Sequence, residues 1–560
     1  MGPRAKNHPR RPSIRPWIAA RPWLSNPSRT TFFGVSAHER PSILPLVPAL
    51  GLFLLLAWKL NFVCDDAFIS FRYSQHLVEG HGLRFNLASE VPVEGYSNLL
   101  WVLLLAPFQA LGLELPVVAR WLSLSSGVAL LVWLITHARH RLELSPLATL
   151  GLGLFAASMP SFALWATGGL ATMPAALLTF AVYERLLGDP ERPRGLQAGI
   201  AAALLALMRA DGALWVAMIL VAALLLALRG ADDRRLRREV LLAGVIPVVV
   251  VALHVAWRMY YYGDFVPNTA RAKAGFSLAR LDRGLDYVLT WFLVLPPIAV
   301  VLLASMRRWR PALASVWVPA AVVIAGSLGY AIWVGGDFMP FGRFLFAAVP
   351  FVVVLFAALL ARLDSSKGRG PALALGAGLL LSALNTAACF DLNIVPESWR
   401  SSFHFRHDGP WVSESGMRER MIARCDEWTS KGKALGHIAK PGESIILGVV
   451  GAMGYYSGLE VFDVYGLISP EVLDVGGRTE LASPGHDYRV DTTFFADRNP
   501  TYAGCFLIEE DAPPQAMLPA NWGQFPISRM VRLVPHALPA SAGFEPGLEL
   551  RTLTFVRRRP

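Results

Sequence analysis

The chain predicts an α-helical polytopic membrane protein of about eleven transmembrane helices, followed by a C-terminal soluble α/β domain. Three observations carry this reading. The 560 residues are 54% hydrophobic and only 17% charged, with a mean hydropathy of +0.43, whereas soluble domains carry about a quarter charged residues. Apolar runs of spanning length recur from residue 43 to residue 389. From about residue 390 the composition changes to Pro- and Gly-punctuated segments of ordinary polarity with no spanning run.

Residues 1–41 come first. Residues 1–40 hold seven Arg, one Lys and a single acid, Glu39, with no signal-peptide core before Pro45. They read as a basic, disordered cytoplasmic tail. The net charge of +11 would suit nucleic acid, but the basic residues lie in short clusters between apolar runs. That is the pattern of cytoplasmic loops, so no nucleic-acid partner is expected.

The membrane domain is placed at 42–389. Its apolar runs fall at about 43–63, 116–136, 145–163, 168–187, 195–209, 211–229, 239–257, 286–306, 311–334, 343–361 and 371–389. A shorter run, 98–113, is settled by charge. The basic clusters at 137–141, 185–194, 229–238, 307–310 and 362–369 all fall inside only if 98–113 does not cross. It is then a surface-lying or re-entrant segment, with the N-terminus inside and the C-terminus outside. Met208-Arg209-Ala210-Asp211-Gly212 interrupts an apolar stretch twice the length of one span, and a mid-bilayer Arg costs about 2.5–3.5 kcal/mol, so a turn is placed there.

This topology puts the polar loops on the outer face: 64–98, Trp165–Gly169, 209–212, 258–285 and Gly335–Arg343. In the third domain, 390–560, Glu443–Val450, Ala503–Ile508, Arg529–Pro535 and Leu548–Val556 read as strands and 413–438 as helix. The four Cys (64, 389, 425 and 505) fall at or beyond the outer surface, where three pairings are open to them. Cys425 with Cys505 is plausible within one domain. No C-x-x-C or paired His spacing for zinc exists.

Two adjacent carboxylates, Asp65 and Asp66, stand at the mouth of the first span. They are costly to desolvate and belong at the water boundary; the same pair also suits a helix start. Downstream lie His81, Glu94, Tyr96 and Asn98. The loop Arg258–Lys273 offers Tyr260, Tyr261 and Tyr262 as faces for sugar rings, with Arg271 and Lys273 as charge for a phosphate; an aromatic belt would look the same. In Tyr330–Phe344 a Gly335-Gly336 pair permits a tight turn, across which Asp337 and Arg343 can pair.

Taken in order, Asp65-Asp66-Ala67-Phe68-Ile69-Ser70-Phe71-Arg72-Tyr73, Gly80-His81-Gly82-Leu83 and Val93-Glu94-Gly95-Tyr96-Ser97-Asn98 resemble the first outer loop of the GT-C membrane glycosyltransferases, closest to the mycobacterial terminal arabinofuranosyltransferase branch. Tyr262-Gly263 with Pro267-Asn268-Thr269 and Lys273, and Val334–Phe338 with Gly342-Arg343-Phe344, are similar to two further motifs. Tyr455-Tyr456-Ser457, Asp463–Leu467 and Pro484-Gly485-His486 resemble patches of that branch's soluble domain. Two departures stand out: Gly169-Leu170-Ala171-Thr172 lacks a carboxylate common there, and 209–212 reads Arg-Ala-Asp-Gly in place of Arg-Pro-Asp-Gly.

The resemblance implies a GT-C-like enzyme of the bacterial inner membrane. It would move a sugar, such as the pentofuranose arabinose, from a polyprenyl-phosphate donor to a cell-envelope glycan, lipid or protein on the outer face, with inversion. Asp65 or Asp66 would be the general base. Arg271, Lys273 and Arg343 would meet the donor phosphate. His81, Glu94, Tyr96, Asn98, Tyr262, Asn268 and Asp337 would contact substrate, and Asp66 and Glu94 would serve a divalent cation (Mg, Mn or Ca) if one is used. A transporter or flippase for a lipid-linked or polar solute and a non-catalytic membrane subunit are the rival classes. The crowding of polar residues on one face and the absence of repeated halves weigh against the transporter.

Overall fold

In the computed structural model the described residues are 45–558, excluding 190, 230–233, 273–274, 276, 308–313, 367, 408, 479–482, 499, 508–526 and 534–552. The described residues form one compact unit. The helices are α1 (Leu46–Lys59), α2 (Asp65–Val78), α3 (Leu99–Ala110), α4 (Leu115–Leu142), α5 (Pro146–Ala157), α6 (Pro160–Trp165), α7 (Thr172–Tyr183), α8 (Gly195–Met208), α9 (Gly212–Arg229) and α10 (Arg234–Tyr262). They continue with α11 (Asn268–Ala272), α12 (Leu278–Val294), α13 (Pro296–Met306), α14 (Ala314–Val334), α15 (Val349–Asp364), α16 (Gly370–Ala388), α17 (Glu397–Arg400), α18 (Glu414–Ile438), α19 (Ala452–Ser457) and α20 (Glu471–Val475).

Among the described residues, five helices are long and apolar enough to cross a membrane. The expected eleven crossings do not all reach that length. At 1.5 Å per residue, the 14 residues of α1 cover about 21 Å, short of a hydrocarbon core of about 30 Å. The run expected as one span at 145–163 breaks at Ser158-Met159 into α5 and α6. The run at 286–306 is also not one straight span, because α12 and α13 meet at 93°. Leu295 sits between them at φ −120°, ψ 62°, and Pro296-Pro297 explains the break. A residue before proline is driven out of the α region, and proline cannot donate to the preceding turn.

The loops gather at two ends of the bundle. At one, Ser145 donates to Asp364 at 2.6 Å, Gly195 N donates to Glu239 at 2.7 Å and Arg141 faces Asp189. At the other, Cys64 N donates to Gly168 O at 3.2 Å and the sheet is seated. Helix α3 starts and returns at this second end. Asn98 bonds Ser70 of α2, while Glu114, just beyond α3, acts electrostatically on Tyr455.

The strands are β1 (Ser444–Leu447), β2 (Glu460–Asp463), β3 (Gly477–Arg478), β4 (Tyr488–Arg489), β5 (Tyr502–Leu507), β6 (Ile527–Leu533) and β7 (Leu553–Arg558). A five-stranded sheet runs β2-β1-β5-β7-β6, and β3 pairs with β4. The β1–β2 and β1–β5 pairs are parallel; β7 runs antiparallel to both β5 and β6. Ile445, Leu447 and Val461 share one apolar core with Tyr73, Phe85, Tyr96 and Tyr262 of the loops. The sheet is therefore built onto the loop end of the bundle. Cys64, Cys389 and Cys425 are buried free thiols; the side chain of Cys505 lies outside the described residues.

Candidate active site

The sheet end is organised on α2. The sequence of α2 is polar for a membrane protein, yet Ala67 to Ser74 are all buried, because the helix lies between α3 and α19. Asp65 and Arg72 are two turns apart and share a face. That face holds both ends of α19. The Asp65 carboxylate accepts from Ala452 N at 2.7 Å. Arg72 donates from Nη1 to Gly454 O, from Nη2 to Leu459 O at 2.7 Å and from Nε to Phe85 O at 2.8 Å. Anion at the N-terminus and cation toward the C-terminal carbonyls is the favourable sense for the α19 dipole. Burial pushes the Asp65 carboxyl up to about 7, against the pull of the Ala452 N–H.

Successive helical residues turn by about 100°, so Asp66 does not share this contact. It is half-buried, and among the described residues its carboxylate forms no hydrogen bond or ion pair. It acts electrostatically on Arg343 and on Cys64. The adjacent carboxylates therefore do different jobs. Asp65 is engaged by the N-terminus of α19 and Asp66 is open.

Opposite Asp66 stands the Gly335–Phe344 loop. Gly335 and Gly336 both take φ +79°, and a Cβ on Gly336 would lie 2.8 Å from Tyr287. Arg283 of α12 donates to Gly335 O at 3.0 Å. Both Arg283 and Arg280 also bond one buried carboxylate, Asp487, at 2.9 and 2.8 Å. At the other end of the loop, Phe341 is held at φ +55°, a left-handed conformation that is strained for a bulky residue. Glu414, the first residue of α18, accepts from Phe341 N and from Arg406 at 2.7 Å; Arg406 in turn donates to Phe338 O at 2.7 Å. The loop thus presents Arg343, which bonds Asp337 bidentately at 2.6 and 3.0 Å, with both residues buried. Its Nη1 has no bond among the described residues. A second bidentate pair, Arg209 with Asp211 at 2.7 and 2.6 Å, acts electrostatically on the same guanidinium. The arrangement is one open carboxylate beside two closed ion pairs.

Several residues expected to face substrate have bracing partners instead. Glu94 is buried against Arg258, and burial pushes its carboxyl above the usual range with Arg258 opposing. The Asn268 side chain donates to Gly466 O and Leu467 O, both at 2.7 Å. Tyr96 and Tyr262 meet at 3.2 Å, and Tyr262 donates to Leu83 O at 2.8 Å. Asn98 bonds Ser70 at 3.0 Å, and Asp337 is committed to Arg343. An unpaired buried polar group costs about 1–3 kcal/mol, which is why a loop packed under a sheet pairs them. Arg271 is shared between Asp264 at 3.4 Å and Asp474 at 3.3 Å. His81 is exposed, and Lys273 lies outside the described residues. Among the described residues no cluster of three or more His, Cys, Asp or Glu side chains is placed to hold a metal.

Arg72, Arg258, Glu414 and the Arg280–Arg283–Asp487 group were not singled out from sequence. The spacing of Asp65 and Arg72 was the one local signal; the other partners lie too far away in the chain to be seen.

Comparison with known proteins gives two family models. Residues 122–293 match a family described as a predicted membrane protein (DUF2142), and residues 418–542 match a domain of unknown function (DUF8728). The first agrees with the long apolar helices in describing a multi-pass membrane protein. Among solved structures, ArnT from Cupriavidus metallidurans in the apo state aligns with a TM-score of 0.49 and 13% identity, over 92% of this chain and 97% of that one. The same protein bound to undecaprenyl phosphate gives 0.47 and 13%, over the same shares. The oligosaccharyltransferase AglB from Archaeoglobus fulgidus, in complex with an inhibitory peptide and a dolichol-phosphate, gives 0.45 and 10%, over 82% and 69%. No curated protein matches the chain. Likenesses this distant carry no assignment of activity.

Proposed function

We propose that the chain is a membrane glycosyltransferase. It transfers a sugar from a polyprenyl-phosphate donor to a cell-envelope acceptor on the extracytoplasmic face of a bacterial plasma membrane. The observation that carries the reading is Asp66, an open carboxylate electrostatically coupled to a positioned guanidinium, Arg343. The ordered motifs of the first loop supply the sugar-transfer class.

In this reading the acceptor hydroxyl gives its proton to Asp66 as its oxygen attacks the anomeric carbon. The bond from that carbon to the phosphate oxygen breaks on the opposite face, inverting the centre. The leaving lipid phosphate keeps the electron pair. Arg343, held rigid by Asp337, presents Nη1 to the departing charge, so its stabilisation needs no reorganisation at the moment of reaction. Asp65 positions α2 and takes no proton from the acceptor. Pentofuranose is the sugar the first-loop motifs favour.

The test is transfer from radiolabelled polyprenyl-phosphate sugars to an envelope glycan extract by the purified protein in nanodiscs. Asp66→Asn is expected to lower turnover by about 100-fold or more, with an unchanged elution profile and melting temperature. A variant as active as wild type, or a wild type that consumes no donor, removes the proposal. Solute uptake by vesicles carrying the protein would move it to the transporter class.

A further inference from the structure

We infer that the structure contains a separate site for the phosphate of a membrane lipid, built around Arg400. It lies in the cleft where α12 breaks from α13. Arg400 ends the short helix α17 and is 7% exposed. Its Nε donates to Val395 O at 3.1 Å, and its guanidinium lies 5.5 Å from the centre of the Trp411 ring. Among the described residues no carboxylate pairs with it. The other two nitrogens are neither hydrogen-bonded nor among the side-chain atoms sealed from solvent without a partner, so they open into the cleft. A buried guanidinium lacking a counter-charge is costly, and an anion in the cleft removes that cost.

The lining of the cleft is amphiphilic: Val294, Phe403, Phe405 and Val412 form an apolar wall beside Arg400, and the cleft is narrow and open at its mouth. Its other ionisable lining groups are His404 and the closed Arg406–Glu414 pair, so Arg400 leaves it cationic. Beside it, between the last apolar helix and Arg400, Phe390, Leu392, Ile394 and Trp399 are 51–68% exposed. A run of exposed aromatic and aliphatic residues next to a spanning helix is the composition that sits at a membrane interface. The ligand is therefore a lipid carrying a phosphate, its head on Arg400 and its chain along Val294. This inference does not depend on the glycosyl-transfer reading. It requires only that the helices cross a bilayer.

Native mass spectrometry of the full-length protein in detergent tests it, with phosphatidylglycerol, polyprenyl phosphate and inorganic phosphate in separate arms. Wild type is expected to retain one copy of a lipid. Arg400→Gln should weaken that retention at least tenfold, and Arg400→Lys should restore part of it. Which lipid arm responds identifies the source. Retention by Arg400→Gln equal to wild type overturns the inference, as does retention of inorganic phosphate with neither lipid. A diazirine-tailed phosphatidylglycerol, or the matching polyprenyl phosphate, on the wild-type protein gives an answer independent of the variants' folding. Adducts are expected on peptides containing Val294 or Phe403–Val412, and adducts confined elsewhere also overturn it.

Discussion

At Asp65 and Asp66 one step along the helix separates a fastened carboxylate from an open one. Asp65 has a measurable signature of its own. Its carboxyl is raised from 3.8 to about 7 in the folded protein, so the fold favours the protonated form. A raised acid makes the folded state bind more protons than the unfolded state between the two values. Stability is therefore greatest at the acid end of that window, falls as pH rises from about 4 to about 7, and is level above. Melting temperatures between pH 5 and 8 should show this fall in wild type and a flatter profile in Asp65→Asn. Of this scale, the Asp pair was legible in the sequence, because adjacent carboxylates beside a long apolar run are conspicuous. Their division of labour was not. It depends on a backbone N–H from Ala452, 387 residues away.

Among the elements, the Gly335–Phe344 loop depends on its neighbours for its shape. Phe341 at φ +55° is held by Glu414 of α18, and Arg406 ties that carboxylate to Phe338. Glu414→Ala removes both bonds and leaves Phe341 N buried without an acceptor, a loss of about 1–3 kcal/mol. The expected result is a lower kcat with a smaller change in KM, since Glu414 shapes the loop that carries Arg343 without touching substrate. Glu414→Gln, which keeps one acceptor oxygen, should fall between. A proportional rise in KM alone would mean that the loop serves binding instead. Sequence periodicity located most of the helices, yet it read 286–306 as one span. Hydropathy sums over Leu295-Pro296-Pro297 without registering the backbone restriction that bends the chain there. It also passed over β2, whose four residues are too few for an alternation to stand out.

For the whole molecule, bundle and sheet are joined through α2 and α19. Arg72→Met keeps an apolar stem but removes the donor to the carbonyls of Phe85, Gly454 and Leu459. Gly451→Ala would press a Cβ to 2.1 Å from the Asp65 carbonyl oxygen. Both should loosen the sheet from the bundle, seen as protease cleavage between residues 439 and 451 at concentrations that leave wild type intact. Unchanged cleavage in both variants would show that the apolar core between sheet and loops suffices to hold them. The composition shift near residue 390 announced a second kind of structure, but not that its core would be shared with the first loop.

The bond from Arg72 to Gly454 joins residues 382 apart in the chain. At about 5–20 residues per second, a ribosome needs about 20–80 s between making one partner and making the other. Throughout that interval α2 is already at the membrane with its clamp empty, its guanidinium and carboxylate served only by water. A nascent chain stalled before residue 452 would thus have inserted its helices and still lack a shaped site, so competence arrives late in translation rather than with membrane insertion.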